Sequence, residues 1–239
     1  MLLAQHGDKW AREDDAIAEK LEPVRTANGG KPPNILFVLI ADVGFGEMGD
    51  PVLNQVRGYG TPNINALARE SMTFYRMYSE PTCTPTRTTL LTGRLPIRSH
   101  RLESKIVPPE GTGLHGDEVT IAGLLKKAGY NTAHIGKWHL GGYVEGSRPT
   151  DQGFDDSLML TGSSYLPKND PNVINAKVDS GVEDMVWATS QFSASFNNSD
   201  PFEPGGYLTD YYTDEAVKVI ENNKNRPFFL YLGHWAVHN

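Results

Sequence analysis

Cysteine is almost absent from this chain of 239 residues: Cys83 is the only one. A lone cysteine excludes an internal disulfide framework and a multi-cysteine zinc centre, which leaves a buried or a reactive thiol. Positive charge is scarce and scattered, 22 Lys and Arg against 29 Asp and Glu, for a formal net charge of -7. Without a basic cluster there is no footprint for nucleic acid or for an anionic membrane, so neither is expected as a partner. Any anion must then be held by a local pocket. No apolar run approaches the roughly 20 residues that cross a bilayer, and the opening MLLAQHGDKW turns charged too soon for a secretion signal. The expectation is a soluble chain, cytoplasmic or periplasmic, of unspecified oligomeric state.

What is present suffices for a large core, with 38% hydrophobic residues and 10% aromatic. Residues 8 to 24 carry apolar positions at helical spacing among many charges, and TANGGKPP then reads as a linker, so residues 1–32 are expected to form an N-terminal helical extension and linker. NILFVLIA, residues 34 to 41, is a continuous apolar, β-branched run. It reads as a central parallel strand buried on both faces. Further strands are predicted at 72–78, 130–136 and 227–235, and helices at 63–70, from Pro85, at 119–128 and at 209–223. Strands alternating with helices predict an α/β fold with a mostly parallel sheet flanked by helices. Between about 141 and 206 the pattern dissolves into Gly, Ser, Asn, Asp and Pro, which reads as site-forming loops or an insertion. Asn197-Asn198-Ser199 fits a glycosylation acceptor, a pattern short enough to arise by chance.

Chemistry concentrates around the cysteine. In PTCTPTRTTLLTGR, Pro85 suits the first position of a helix, where its missing N–H leaves nothing unpaired. Cys83 then sits just ahead of a helix start, where free N–H groups favour a developing anion, with Arg87 one turn on.

CxPxR followed by TTLLTGR, spanning Cys83, Pro85, Arg87, Thr92 and Gly93, resembles the sulfatase signature. The likeness continues through PNILFVLIADVGFGEMG, GYNTAHIGKWHLG and RPFFLYLGHWAVHN, in the family's order, so residues 33–239 are similar to the N-terminal part of a sulfatase catalytic domain. The resemblance implies an alkaline-phosphatase-like fold, incomplete at its C-terminus, and a sulfuric ester hydrolase of arylsulfatase type. In that family the motif cysteine is oxidised to formylglycine, whose hydrate offers two oxygens: one attacks sulfur, the other drives sulfate out. Formylglycine-generating machinery and a small-molecule sulfate ester are the implied partners.

Carried over by resemblance, Arg87 stabilises the hydrate and Lys137 and His139 of GKWH hold the sulfate oxygens. His238 contacts sulfate and the leaving oxygen as a general acid, with His234 as the nearby competitor, and Ser163 or Ser164 falls where a sulfate-contacting hydroxyl is often placed. The family also binds Ca²⁺ (or Mg²⁺) through an aspartate pair after the first strand and an Asp-Asn pair near the end of the domain. Here the pair reads Ala41-Asp42, so Asp42 and the oxygen at position 83 are the metal ligands expected, while Glu47 and Asp50 read as solvated loop acids. The later Asp-Asn pair and its accompanying lysine are not in the sequence, so impaired hydrolysis is expected. A targeted change and a natural degenerate paralogue both fit Ala41. The alternatives are a phosphonate or phosphodiester hydrolase of the same superfamily and a catalytically inactive sulfate-binding homologue.

Overall fold

The computed structural model describes residues 2–99, 113–142, 145–161, 171 and 193–238. At its centre is a five-stranded sheet of β1 (Ile35–Ile40), β2 (Asn131–Gly136), β3 (Asp156–Leu160), β4 (Ala194–Phe196) and β5 (Phe228–His234). The order across the sheet is β1-β5-β2-β3-β4, and all pairings are parallel except that of β3 with β4. The helices are α1 (Leu2–Ala27), α2 (Pro51–Arg57), α3 (Pro62–Arg69), α4 (Cys83–Thr92), α5 (Ile121–Lys127) and α6 (Leu208–Asn223). The mixed architecture with a mostly parallel sheet is the fold class that the sequence predicts.

Alternation along each strand divides the core in two. On one face Phe229 and Tyr231 of β5 pack with Trp138, Phe154, Leu91 of α4 and Ala122 of α5. On the other, Phe228, Leu230 and Leu232 meet Ala133 and Ile135 of β2 and Leu208, Tyr212 and Ala216 of α6. Burying such a side chain contributes roughly 1.5–3 kcal/mol, so β5, buried along nearly its whole length, is the sheet's energetic centre.

Four expectations change. First, β1 is an edge strand of the described sheet rather than a central one. Ile35, Phe37 and Leu39 pack inward, but Leu36 and Val38 remain 49% and 44% exposed because α6 covers β5 and β2 instead. Second, residues 72–78 form no strand. Their alternation suits a ladder, yet no described strand pairs with them, and Met72, Phe74, Tyr75, Met77 and Tyr78 stay exposed. Third, the stretch from 141 to 206 is not all loop, since it contains β3 and β4. Fourth, α4 begins at Cys83, two residues earlier than Pro85 suggests.

α2 was not foreseen. Asp50 caps it, its carboxylate accepting from the N–H groups of Val52 and Leu53, and Glu47 binds Arg57 at 2.7 Å, so these acids have local structural partners. α1 runs longer than the predicted 8–24, and its residues are nearly all exposed. No helix among the described residues is long and apolar enough to cross a membrane.

Candidate functional site

Parallel register levels the carboxyl ends of three strands. Ile40 lies opposite His234, and Gly136 opposite Gly233, so the segments leaving β1, β2 and β5 emerge side by side, where ligands gather in open α/β sheets. A cleft of about 570 Å³ opens there, lined among others by Ala41, Asp42, Glu80, Cys83, Arg87, His139 and His238.

α4 enters this cleft end-on. Thr82 is its N-cap in extended conformation with no side-chain cap bond, which makes Cys83 the first helical residue. Thr84, Arg87, Thr88 and Leu91 are buried, the i, i+3, i+4, i+7 stripe of one helix face. That stripe carries Arg87 beneath the cleft. The Thr84 hydroxyl donates to the carbonyl of His139 at 3.1 Å, fixing the helix start to the segment after β2.

Arg87 is only 2% exposed. Its Nη1 donates to the carbonyl of Lys137 at 2.6 Å and to the Tyr231 hydroxyl at 2.7 Å. Its Nε is buried without a hydrogen-bond partner, and no carboxylate among the described residues lies within ion-pairing distance. A buried cation held by dipoles alone is costly unless an anion joins it.

Lys137, 3% exposed, donates from Nζ to Cys83 Sγ at 3.3 Å and stands 4.3 Å from the centre of the Trp235 ring. Burial pushes its pKa below the usual lysine value, while the neighbouring Cys83 and Asp42 pull the other way. Trp138 between Lys137 and His139 is buried in the core, so the three residues divide between site and interior. His139 and Asp42 both adopt the left-handed region at φ 57, an uncommon conformation for residues other than glycine and one that gathers at functional sites.

His238 bridges the cleft. Its Nδ1 lies 3.1 Å from Asp42 Oδ2 and its Nε2 3.9 Å from Cys83 Sγ, and its ring stacks on Trp235 with centroids 4.5 Å apart. His234, at the end of β5, does not line the cleft, and burial lowers its pKa. The structure therefore brings Asp42, Cys83, Arg87, Lys137, His139 and His238 together. Ser163 and Ser164 lie outside the described residues.

Sequence reasoning missed Tyr231, Trp235 and the glycine pair at the floor. A Cβ on Gly136, at φ 96, would strike the carbonyl oxygen of Gly233, and one on Gly233 would lie 2.8 Å from Lys137 O and 3.0 Å from Arg87 Nη1. The glycine two residues after Tyr231 in FLYLGH was the available signal.

The donors suit an oxoanion better than a hard cation. Ala41 offers a methyl group where a carboxylate would be needed, Asp42 and Glu80 are the carboxylates on the wall, and no three His, Cys, Asp or Glu side chains among the described residues group as a metal site. Calcium takes about six to eight oxygens, so these residues alone do not fit it. Cys83 does fit as the site of an oxidised, aldehyde-bearing residue, since it is partly accessible and faces a lysine and a histidine.

Comparison with known proteins gives one family. The sulfatase family profile, described as Sulfatase, matches residues 33–239. The chain is 34% identical over 221 residues to N-acetylgalactosamine-6-sulfatase of Mus musculus, covering 88% of this chain and 40% of that protein. It thus spans about two fifths of that relative's length. Among solved structures, the PsFucS1 sulfatase from Pseudoalteromonas sp. superposes with a TM-score of 0.75 at 28% identity, over 95% of this chain and 48% of the other. A protein solved with its substrate D-glucosamine-2-N,6-O-disulfate matches with a TM-score of 0.61 at 27% identity, over 87% and 35%.

Proposed function

The chain belongs to the sulfatase family, and from that premise we propose that its cleft hydrolyses a sulfate ester at an aldehyde-bearing residue made from Cys83. The observation that carries this reading is Arg87, a buried guanidinium beside the cleft with no carboxylate counter-ion among the described residues, one helical turn beyond Cys83. With Lys137 at 3.3 Å from Sγ, it makes a positive recess that a monoanionic sulfate ester neutralises.

Formylglycine, which the family generally uses together with a divalent cation, supplies when hydrated two oxygens on one carbon, one to attack sulfur and one to expel sulfate. The chain's own residues do the rest. Lys137 and His139 hold non-bridging sulfate oxygens, Arg87 offsets charge at position 83, and His238, beside Sγ at 3.9 Å, hands a proton to the departing alcohol oxygen. Asp42 Oδ2, 3.1 Å from His238 Nδ1, stabilises the ring's protonated form. Maturation requires the enzyme machinery that oxidises the CxPxR cysteine.

A sulfated sugar is the substrate class favoured here. The names of the mouse relative and of the disulfated-glucosamine complex support it, and a cleft of about 570 Å³ accepts a monosaccharide. A second reading, anion binding without turnover, is favoured by one observation, the methyl group of Ala41.

The test is parallel assay of an aryl sulfate, a 6-sulfated hexosamine and an aryl phosphonate after the intact mass of the Cys83 peptide has verified the aldehyde. Sulfate release is the expected result. Faster phosphonate cleavage would transfer the chain to the phosphonate hydrolases, and sulfate binding without release would establish the inactive reading.

A further inference from the structure

Trp235 follows β5 directly, as Lys137 follows β2, and the register that sets Gly136 opposite Gly233 brings the two side chains together. The Lys137 ammonium stands 4.3 Å from the centre of the indole, and the His238 imidazole stacks on the same indole with centroids 4.5 Å apart and planes 24° from parallel. A turn fixes the second contact, since the His238 N–H donates to the Trp235 carbonyl at 3.0 Å. Both groups also reach Cys83 Sγ, Lys137 Nζ at 3.3 Å and His238 Nε2 at 3.9 Å. Lysine and histidine thus share two neighbours, position 83 and an indole that does not itself line the cleft.

The manner of holding matters. A ring face attracts a cation or a second ring through its quadrupole and offers no lone pair in return. An ammonium has three N–H donors, and among the described residues Nζ makes one hydrogen bond, to Sγ, so two donors are left for a ligand. A carboxylate in place of the indole would occupy those donors and cancel the charge that draws an anion. The imidazole is likewise held by its face, which keeps both nitrogens at the working edge: Nδ1 lies 3.1 Å from Asp42 Oδ2, and Nε2 faces position 83.

Resting on the reading of this cleft as a sulfate site, we propose that Trp235 is a positioning residue for the reaction, its indole fixing Lys137 and His238 from behind while leaving their nitrogen atoms to the sulfate and the departing oxygen. The residue acts through those two side chains and contributes no donor or acceptor of its own to the substrate.

The experiment titrates the whole chain with inorganic sulfate by calorimetry, beside Trp235→Leu, Trp235→Phe and chains carrying tryptophan with one, two or three ring fluorines at position 235. Fluorine withdraws electron density from the ring at nearly constant volume, so it weakens the hold on the ammonium without opening a cavity. Trp235→Leu should weaken sulfate binding about tenfold, Trp235→Phe should restore it to within about threefold of the unsubstituted chain, and affinity should fall stepwise with each fluorine. Equal affinity across the fluorine series would overturn the proposal while leaving the sulfate-site reading in place, and this arm decides even where Trp235→Leu fails to fold. Equal losses in the Leu and Phe variants would also overturn it, by assigning the effect to the bulk of the indole. Absence of sulfate binding by the unsubstituted chain, shown to be folded by circular dichroism, would overturn the sulfate-site reading and this proposal with it.

Discussion

The guanidinium of Arg87 donates to the phenolic oxygen of Tyr231 at 2.7 Å, and Tyr231 in turn stacks on His134 with centroids 5.5 Å apart. His134 is itself held by the Ser157 hydroxyl at 2.9 Å. A column of buried side chains thus runs from β3 through β2 and β5 to the arginine under the cleft. Tyr231→Phe keeps the ring and deletes one of the two acceptors of Nη1. Hydrogen bonds to charged groups contribute about 1.5–3 kcal/mol, so urea denaturation should show a loss of that order, and sulfate affinity should fall several-fold as the guanidinium loosens. A variant with unchanged stability and affinity would show that the Lys137 carbonyl alone holds the arginine.

The same column predicts acid sensitivity. Burial, with a smaller contribution from Arg87, lowers the pKa of His134 from 6.5 to about 3. Because its folded value is depressed, the folded state holds it neutral while the unfolded chain takes up a proton below 6.5. Stability is therefore unaffected by this group above about pH 6.5 and is lost as pH falls toward 3, at up to roughly 1.4 kcal/mol per unit. His134→Gln, which retains a polar partner for Ser157, should flatten the slope of stability against pH between about 4 and 6. Parallel slopes for the two proteins would assign the acid sensitivity to other groups.

Gly136 and Gly233 separate stability from function. Gly136 has φ 96, and its added Cβ would strike backbone of β5, so Gly136→Ala should cost more than about 2 kcal/mol. The Cβ of Gly233→Ala would press on the Lys137 carbonyl and the Arg87 guanidinium. This substitution should lower sulfate affinity by a larger factor than any loss of stability implies. Thermal denaturation and sulfate calorimetry on both variants distinguish the two effects, and equal effects on both readouts would mean that the floor is only structural.

Much of this arrangement was legible in the sequence because it depends on local patterns. The segments 130–136 and 227–235 read as strands, the second because its apolar run leaves no polar alternation, and Pro85 in CTPTR announced a helix start at the cleft. Three things were not legible. Whether β1 is central or at an edge depends on its neighbours and not on its own residues. The strand-like alternation of 72–78 yields a strand only if a ladder partner exists. The contact of His238 with both Asp42 and Cys83 joins residues up to 196 positions apart, counting 238 minus 42, and no spacing rule reports such a meeting. Ser163 lay beyond what the described residues address.

The last prediction concerns position 83 itself. With Lys137 Nζ at 3.3 Å and His238 Nε2 at 3.9 Å from its side chain, whatever oxygen replaces sulfur here is held against the sulfate donors. A hydrated aldehyde carries two oxygens, so after one has taken the sulfuryl group the other can release it by reforming the carbonyl. Cys83→Ser leaves one. Binding should survive, because Arg87, Lys137 and His139 are untouched, and a single equivalent of alcohol should appear from an aryl sulfate, followed by little further release. Steady-state turnover should fall by about a hundredfold or more, the order lost when a catalytic group is removed, whereas sulfate affinity stays within a few-fold. The measurement is rapid-mixing absorbance of the aryl leaving group beside calorimetry with inorganic sulfate, comparing the variant with chain whose aldehyde content is known. Undiminished multiple turnover by the serine variant would mean that the second oxygen is unnecessary, and the aldehyde mechanism would fall with it.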